Sequence, residues 1–77
     1  MIKLYSKNNC PQCKMVKKQL AMNNIDFQEI NIDENPEYRP YLKERGWQAA
    51  PVIESDIVDF AGFNPQELRK LINHYKK

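Results

Sequence analysis

The spacing of apolar residues changes twice within the first part of the chain. Residues 2–5 alternate apolar with polar or half-polar side chains, which is the pattern of a β-strand. The segment from Pro11 to Asn24 instead carries Val16 and Leu20 four positions apart, as one face of a helix does. Residues 25–32 return to alternation, with one slip that a β-bulge or a strand end would produce. The pattern predicts a strand, a helix and a second strand.

A second helix is predicted after this strand. Asn35 is suited to cap it, residues 37–45 should be helical, and Gly46 is a good C-terminal stop. Pro40 lies inside this stretch, where it removes a hydrogen bond and clashes with the preceding turn, so we expect a tight first turn or a kink near it. Trp47 follows the glycine directly and is expected to fold back and pack on the last turn of the helix.

The rest of the chain predicts a hairpin and a final helix. Pro51 stands at the head of a short apolar strand over residues 49–53, and residues 57–60 pair with that strand as a hairpin. Asn64 caps the last helix, and Glu67 stands three residues after it as in a capping box. The helix has one apolar stripe, formed by Leu68, Leu71, Ile72 and Tyr75. The predicted order is therefore β-α-β-α-β-β-α.

These elements predict an α/β fold with a four-stranded sheet. Helical crossovers join the first three strands and imply parallel pairing for these first strands, while the closing hairpin adds an antiparallel edge. Helices must cover both faces of so apolar a sheet. The 77 residues, 42% of them hydrophobic, make one small domain spanning residues 1–77, near the lower limit at which a core forms without metals or several disulfides.

Charge and hydropathy exclude several classes of function. The net charge is only +2 and acids are interspersed with lysines, so no nucleic-acid partner is expected. The basic patch of Lys14, Lys17 and Lys18 is interpreted as a solvated helix face. No apolar stretch approaches membrane-spanning length, and no signal-peptide pattern precedes the first strand. We expect no membrane partner and a reducing, cytoplasmic location.

The chain has two cysteines, Cys10 and Cys13, placed where the first strand gives way to the first helix. Pro11 suits the first helical position, so Cys10 should be the N-cap, with its sulfur facing unpaired backbone N–H groups. Those groups and the helix dipole favour the thiolate, so the pKa of Cys10 is expected below the free value of about 8.5. Cys13 lies one turn further and is placed to attack a mixed disulfide formed at Cys10. The pattern indicates a dithiol redox centre.

Three other interpretations of the pair fit less well. Two cysteines can be small core residues, but the helix-start position and the intervening proline favour a reactive thiol. Structural zinc usually needs four Cys or His ligands, and the chain adds only His74, in the last helix. A structural disulfide closing so short a loop would constrain little of the unfolded chain.

The element order, the CxxC pair and the proline before the third strand resemble the thioredoxin fold in its minimal glutaredoxin form. The resemblance covers essentially the whole chain. It implies that the Ala50–Pro51 peptide is cis, which is a low-cost isomer only before proline. It also implies that Pro51 lies against the two sulfurs and that the backbone of Ala50 hydrogen-bonds an incoming disulfide chain.

The segment after the hairpin favours one family within this fold. Glutathione-using glutaredoxins usually carry two glycines and then a polar or acidic residue here, whereas this chain has Gly62 and Phe63, which would partly block glutathione. The chain instead resembles the NrdH-redoxins, at Gly46, Trp47, Pro51, Val52, Gly62, Phe63, Pro65 and the Cys10-x-Gln12-Cys13 motif. It departs from their pattern at Phe60 for Trp, Ala61 for Ser and Ala50 for Leu. A thioredoxin proper is longer and has a buried acid that residues 2–9 do not supply.

This resemblance implies a thiol-disulfide oxidoreductase that works as a monomeric electron carrier without a bound cofactor or metal. Thioredoxin reductase is the expected electron donor and a class Ib ribonucleotide reductase the expected acceptor, with Cys10 attacking and Cys13 resolving. The expected docking residues are an edge of Ala50, Pro51 and Val52, an apolar ledge of Phe60, Gly62 and Phe63, and Lys7 for steering acidic groups. Two alternatives stay open: a glutathione-dependent dithiol glutaredoxin, and a glutaredoxin-like module binding an iron-sulfur cluster through Cys10 and two glutathiones.

Overall fold

The computed structural model describes residues 1–47 and 49–76 of the chain. Three of the elements lie in the first half: β1 (Lys3–Ser6), α1 (Pro11–Met22) and β2 (Gln28–Asn31). A 3-10 turn over Pro36–Tyr38 then leads directly into α2 (Arg39–Glu44). The second half holds β3 (Val52–Glu54), β4 (Asp59–Ala61) and α3 (Pro65–Tyr75). The predicted order β-α-β-α-β-β-α and the α/β class are confirmed.

The four strands form one mixed sheet in the order β2-β1-β3-β4. β2 is parallel to β1, β3 is antiparallel to β1, and β4 is antiparallel to β3. The prediction of parallel pairing is therefore right for the first two strands and wrong for the third. The connection from β2 to β3 begins and ends at the same end of the sheet, because the last residue of β2 and the first residue of β3 both lie beside the end of β1.

The strand β2 is shorter than the alternation predicts. Ile25 is 6% exposed and belongs to the core, but its N–H donates to the carbonyl of Leu20 at 3.0 Å and so closes the end of α1. Asn24, with φ of 56°, turns the chain at this point. The slip in the alternation is thus a strand end, and the apolar residue before it serves the helix terminus.

Helices cover both faces of the sheet, as predicted. α1 and α3 pack on one face, where the buried residues are Ile2, Leu4, Val16, Leu20, Ile25, Ile53, Phe60, Leu68 and Leu71. α2 packs on the other face over Tyr5, Ile30 and Val52. The first cluster is the larger, and it fixes α1, the helix that carries both cysteines, on the sheet.

The expectations for the second helix are confirmed except for the cap. Asn35 makes no side-chain capping bond, because its Nδ2 donates backwards to the carbonyl of Asn31 at 3.0 Å. The turn at Pro36–Tyr38 is the tight first turn expected near Pro40, which then occupies the first turn of α2, where its missing N–H has no helical partner. Trp47 packs its side chain against the cluster under α2, and its backbone N–H donates to the carbonyl of Leu42 at 2.9 Å. The backbone of Trp47 therefore closes the end of this helix.

The cap of α3 is formed as predicted, in part. The side-chain oxygen of Asn64 accepts the N–H of Glu67 at 3.2 Å. The carboxylate of Glu67 accepts from Lys70 at 3.3 Å, so it serves an ion pair one turn on.

Among the described residues, none of the helices combines the length and the apolar character needed to cross a membrane.

Candidate functional site

The two cysteines form a disulfide at the N-terminus of α1. Cys10 has an extended backbone (φ −117°, ψ 97°) and is the N-cap, and its Sγ accepts the N–H of Cys13 at 3.1 Å. Pro11 occupies the first helical position. Both side chains are nearly enclosed, with Cys10 5% and Cys13 2% exposed. The strand-to-helix placement predicted from the sequence is confirmed, together with the capping role of Cys10.

This geometry favours negative charge on Sγ of Cys10. A sulfur at an N-cap that already accepts a backbone N–H lies at the positive end of the helix dipole, which stabilises a thiolate relative to a thiol. Cys13 is further inside, on the stripe with Val16 and Leu20 that faces the sheet. The pair is thus asymmetric, with one sulfur placed for reaction at the helix end and one held behind it.

The Ala50–Pro51 peptide is cis, as the resemblance implied. Val52 pairs with Tyr5 near the end of β1, so this peptide lies at the end of the sheet from which the chain runs to Cys10. The carbonyl of Pro51 accepts the N–H of Gly62 at 2.7 Å. Within residues 1–47 and 49–76, the N–H and C=O of Ala50 have no hydrogen-bond partner.

A groove of about 370 Å³ opens beside Ala50. Its apolar wall is made by the face of the sheet under α2, and three cations lie around it: Lys7, Arg39 and Lys43. The other lining residues are Tyr5, Ile32, Leu42, Trp47, Ala49, Ala50 and Val52. A groove of this kind fits an apolar segment that carries a carboxylate.

A network of hydrogen bonds holds Tyr5, in the floor of this groove. Its hydroxyl donates to Glu54 at 3.0 Å, and burial together with that carboxylate raises the pKa of Tyr5 well above its usual value. Glu54 also accepts the hydroxyl of Tyr41 at 2.7 Å and pairs with Arg45. Arg45 in turn pairs with Asp59 at 2.7 Å. The network joins α2 to β3 and β4 and so fixes one wall of the groove.

Comparison with known proteins agrees with this architecture. Residues 2–57 match the sequence model of the family described as Glutaredoxin. The glutaredoxin-like protein NrdH of Lactococcus lactis subsp. cremoris is 58% identical over 71 residues, which cover 92% of this chain and 99% of that protein. The glutaredoxin-like protein NrdH of Escherichia coli is 31% identical over 70 residues, covering 91% and 86%. The structure of the NrdH-redoxin from Escherichia coli matches with a TM-score of 0.85 over 91% of this chain and 92% of that one, at 31% identity.

The chain belongs to the glutaredoxin family, among its NrdH-redoxins. Its fold is accordingly a thioredoxin fold, and its cysteines are a redox-active pair. The NrdH-redoxin pattern noted in the sequence therefore identified the family correctly, in spite of the departures at Ala50, Phe60 and Ala61.

One predicted docking residue of this NrdH-redoxin is buried in the core, so that part of the docking prediction is wrong. Phe60, which replaces the Trp of the family pattern, is 5% exposed and packs in the core with Ile53, Leu68 and Leu71. It lies opposite Ile53 in the hairpin, on the face that α1 and α3 cover, so its ring cannot form part of an exposed ledge. Phe63 is 40% exposed and does present its ring to the outside.

The other predicted residues divide between two surfaces. Lys7, Ala50 and Val52 line the groove, although the side chain of Val52 is nearly enclosed. Gly62 and Phe63 do not line the groove, and the Gly62 N–H donates to the carbonyl of Pro51. Gly62 has φ of 76°, a conformation that glycine adopts without strain.

Arg39 and Lys43, which line the groove, were not predicted from the sequence. They stand four residues apart, so a helix over this segment places them on one face, and this spacing was the available signal. What the spacing does not give is the position of that face relative to Lys7. The two lysines and the arginine come from segments more than 30 residues apart in the chain, and only the fold brings them together.

Proposed function

We propose that the protein is an electron carrier that reduces disulfides in other proteins with its own dithiol. The thiolate of Cys10 attacks a partner disulfide, forms a mixed disulfide and releases one partner thiolate. Cys13 then loses its proton and attacks Sγ of Cys10, which releases the second partner thiol and leaves the Cys10–Cys13 disulfide. Two electrons pass to the partner. The observation that carries this proposal is the asymmetry of the pair, with Sγ of Cys10 at the helix N-terminus, where it accepts a backbone N–H, and Cys13 within the first turn of the helix.

The partner would dock at the end of the molecule that carries the two cysteines. The free N–H and C=O of Ala50 would pair with the chain on one side of the partner's disulfide, beside Pro51 and Val52. That chain would run into the groove, where Lys7 and the two cations of α2 would attract acidic groups. Phe63, which is exposed and does not line the groove, would contact the partner outside it.

The partners we propose are thioredoxin reductase as electron donor and a class Ib ribonucleotide reductase as acceptor. Two findings support this proposal. The relatives share the name NrdH, and the NrdH-redoxin from Escherichia coli is described as having a thioredoxin-like activity profile. We propose that the protein works as a monomer in the cytoplasm, where a reductase can keep the dithiol reduced.

The roles of the two sulfurs are tested by single substitutions. Cys10→Ser should abolish the reduction of insulin disulfides, because no thiolate remains at the helix end. Cys13→Ser should instead accumulate mixed disulfides with oxidised partners, detected by non-reducing electrophoresis and mass spectrometry, and Cys10→Ser is the matched control that should trap none. Insulin reduction by Cys10→Ser at the wild-type rate contradicts the assignment of the nucleophile.

A second candidate function is glutathione-dependent reduction, and the observation in its favour is the set of three cations around the groove, since glutathione carries two carboxylates. Assays of NADPH oxidation distinguish this candidate function from the proposed electron carrier. The oxidised protein is supplied with thioredoxin reductase in one assay and with glutathione plus glutathione reductase in the other. Fast turnover with thioredoxin reductase alone supports the proposed carrier, and turnover with glutathione alone replaces it by a dithiol glutaredoxin.

A further inference from the structure

We infer that Asp33 is a positioning residue for the loop that presents Cys10. The inference rests on the proposed function in one respect, namely that Cys10 is the attacking sulfur. Asp33 follows β2 and lies outside the groove and the cysteine pair, so neither the sequence motifs nor the site described above includes it.

The contacts of Asp33 join two parts of the site. One carboxylate oxygen accepts the backbone N–H of Asn8 at 2.8 Å, and the other pairs with the guanidinium of Arg39. Asn8 stands two residues before Cys10, and Arg39 is the first residue of α2 and lines the groove. A single carboxylate therefore holds the loop before the reacting sulfur and a cation of the docking groove.

The loop depends on this contact because few other bonds hold it. Between the end of β1 at Ser6 and the N-cap at Cys10 there are three exposed residues. The last of them, Asn9, has φ of 54°, in the left-handed region. Asn8 is fixed from the β2 side twice, through its N–H to Asp33 and through its side-chain oxygen, which accepts from Asn31 at 3.0 Å. Both anchors come from one segment, Asn31–Asp33, which is itself a turn closed by the Asn31 side chain.

The loop affects how steadily Sγ is held at the helix end. Pro11 keeps the backbone of Cys10 extended, and the loop before Cys10 sets where this cap lies relative to the sheet. Without the Asp33 carboxylate, the Asn8 N–H would bond to water and the loop would sample other paths, in which the thiolate spends less time in line for attack. The chemistry of the sulfur itself would be unchanged.

The test measures attack by Cys10 on an uncharged disulfide, 4,4′-dithiodipyridine, so that the groove cations play no part. All variants carry Cys13→Ser, and the quantity compared is the second-order rate constant at its alkaline plateau, where Cys10 is fully ionised. Asp33→Asn keeps an oxygen that can accept from Asn8, and Asp33→Ala does not, while both lose the same charge. We expect Asp33→Asn to react about tenfold faster than Asp33→Ala, as loss of one hydrogen bond in the approach geometry implies. A ratio below about threefold overturns the inference.

Glu34→Gln is the matched control, because it removes a negative charge from the exposed residue next to Asp33 and leaves the bond from Asn8 to Asp33. It should react within about twofold of the Cys13→Ser parent, and a loss as large as that in Asp33→Ala overturns the inference by assigning the effect to negative charge near the loop. A measurement on the unsubstituted protein needs no folding control: the Asn8 amide should exchange with solvent more slowly than that of Asn9, and equal exchange overturns the inference. A parent in which Cys10 does not react at all would refute the proposed function instead.

Discussion

Replacing Leu20 with alanine tests whether the residues of α1 that stabilise the fold can be separated from the cysteines that react at its N-terminus. Leu20 is fully enclosed and packs in the cluster between the sheet, α1 and α3, two turns after Cys13. The substitution removes three carbon atoms, which is about 2.4 kcal/mol of transfer free energy at about 0.8 kcal/mol each. The cavity left in a packed interior brings the expected loss to about 3–4 kcal/mol.

That loss is large for a chain of this size. A domain of 77 residues typically has a free energy of unfolding of about 4–12 kcal/mol. The melting temperature should fall by about 12–30 °C, since each kcal/mol shifts it by about 4–8 °C in so small a domain. Urea denaturation of the oxidised protein, followed by the fluorescence of Trp47, its single tryptophan, gives the free energy directly. The control is Met22→Ala at the end of the same helix. Because Met22 is 68% exposed, this substitution should lower the free energy of unfolding by less than about 0.5 kcal/mol.

The reaction rate should not follow the stability. In the folded Leu20→Ala protein at low temperature, reduced Cys10 should attack 4,4′-dithiodipyridine within about twofold of the wild-type rate, because its cap to the Cys13 N–H lies at the other end of α1. A loss of stability below about 1 kcal/mol would refute the packing argument. A tenfold slower reaction of protein shown by circular dichroism to be folded would refute the separation of the two ends.

Three further predictions concern the stability of the fold and the use of glutathione. Asn64→Ala should cost about 1 kcal/mol in urea denaturation through loss of the α3 cap, whereas the exposed Gln66→Ala should cost almost nothing; equal values would contradict the capping role. Burial tends to raise the pKa of Glu29, but hydrogen bonds from Lys17 and Ser6 outweigh it and hold the pKa below its usual value. The carboxylate therefore contributes stability above about pH 4.5 that is lost as the pH falls through the lowered pKa, and Glu29→Gln should flatten this acid limb of the unfolding curve; an unchanged slope would contradict it. Phe63→Gly should raise turnover with glutathione and glutathione reductase, measured by NADPH oxidation, and no increase would mean that the ring does not obstruct glutathione.

The features that could be predicted from the sequence are those fixed by neighbouring residues. The capping role of Cys10 follows from Pro11 directly after it, and the cap of α3 follows from Asn64 in the same way, because both depend on one turn of backbone. The tight turn before Pro40 is of this kind too. The cis peptide at Pro51 came from the resemblance to a family, since local sequence alone leaves trans the commoner isomer.

The features that could not be predicted depend on which elements meet. The direction of β3 is set by where the connection from β2 returns to the sheet, and apolar alternation reads the same in a parallel and an antiparallel strand. Phe60 alternates correctly as a strand residue, but which face of β4 is covered follows from the placement of α3. The cationic groove likewise needs α2 and the loop at Lys7 to lie side by side.

The two docking surfaces bear on the choice between glutathione and a protein as substrate. Lys7 lines the groove beside Ala50, whereas Phe63 is exposed and does not line it, and the Gly62 N–H ties the segment before Phe63 to the carbonyl of Pro51. A tripeptide can supply carboxylates to the groove but has little chain left to cover an exposed phenyl ring. An extended protein segment can pair with Ala50, place acidic groups near the cations and pack against the ring, burying apolar area that glutathione does not possess. On the proposed function, the groove therefore attracts either substrate, and Phe63 is what favours the protein.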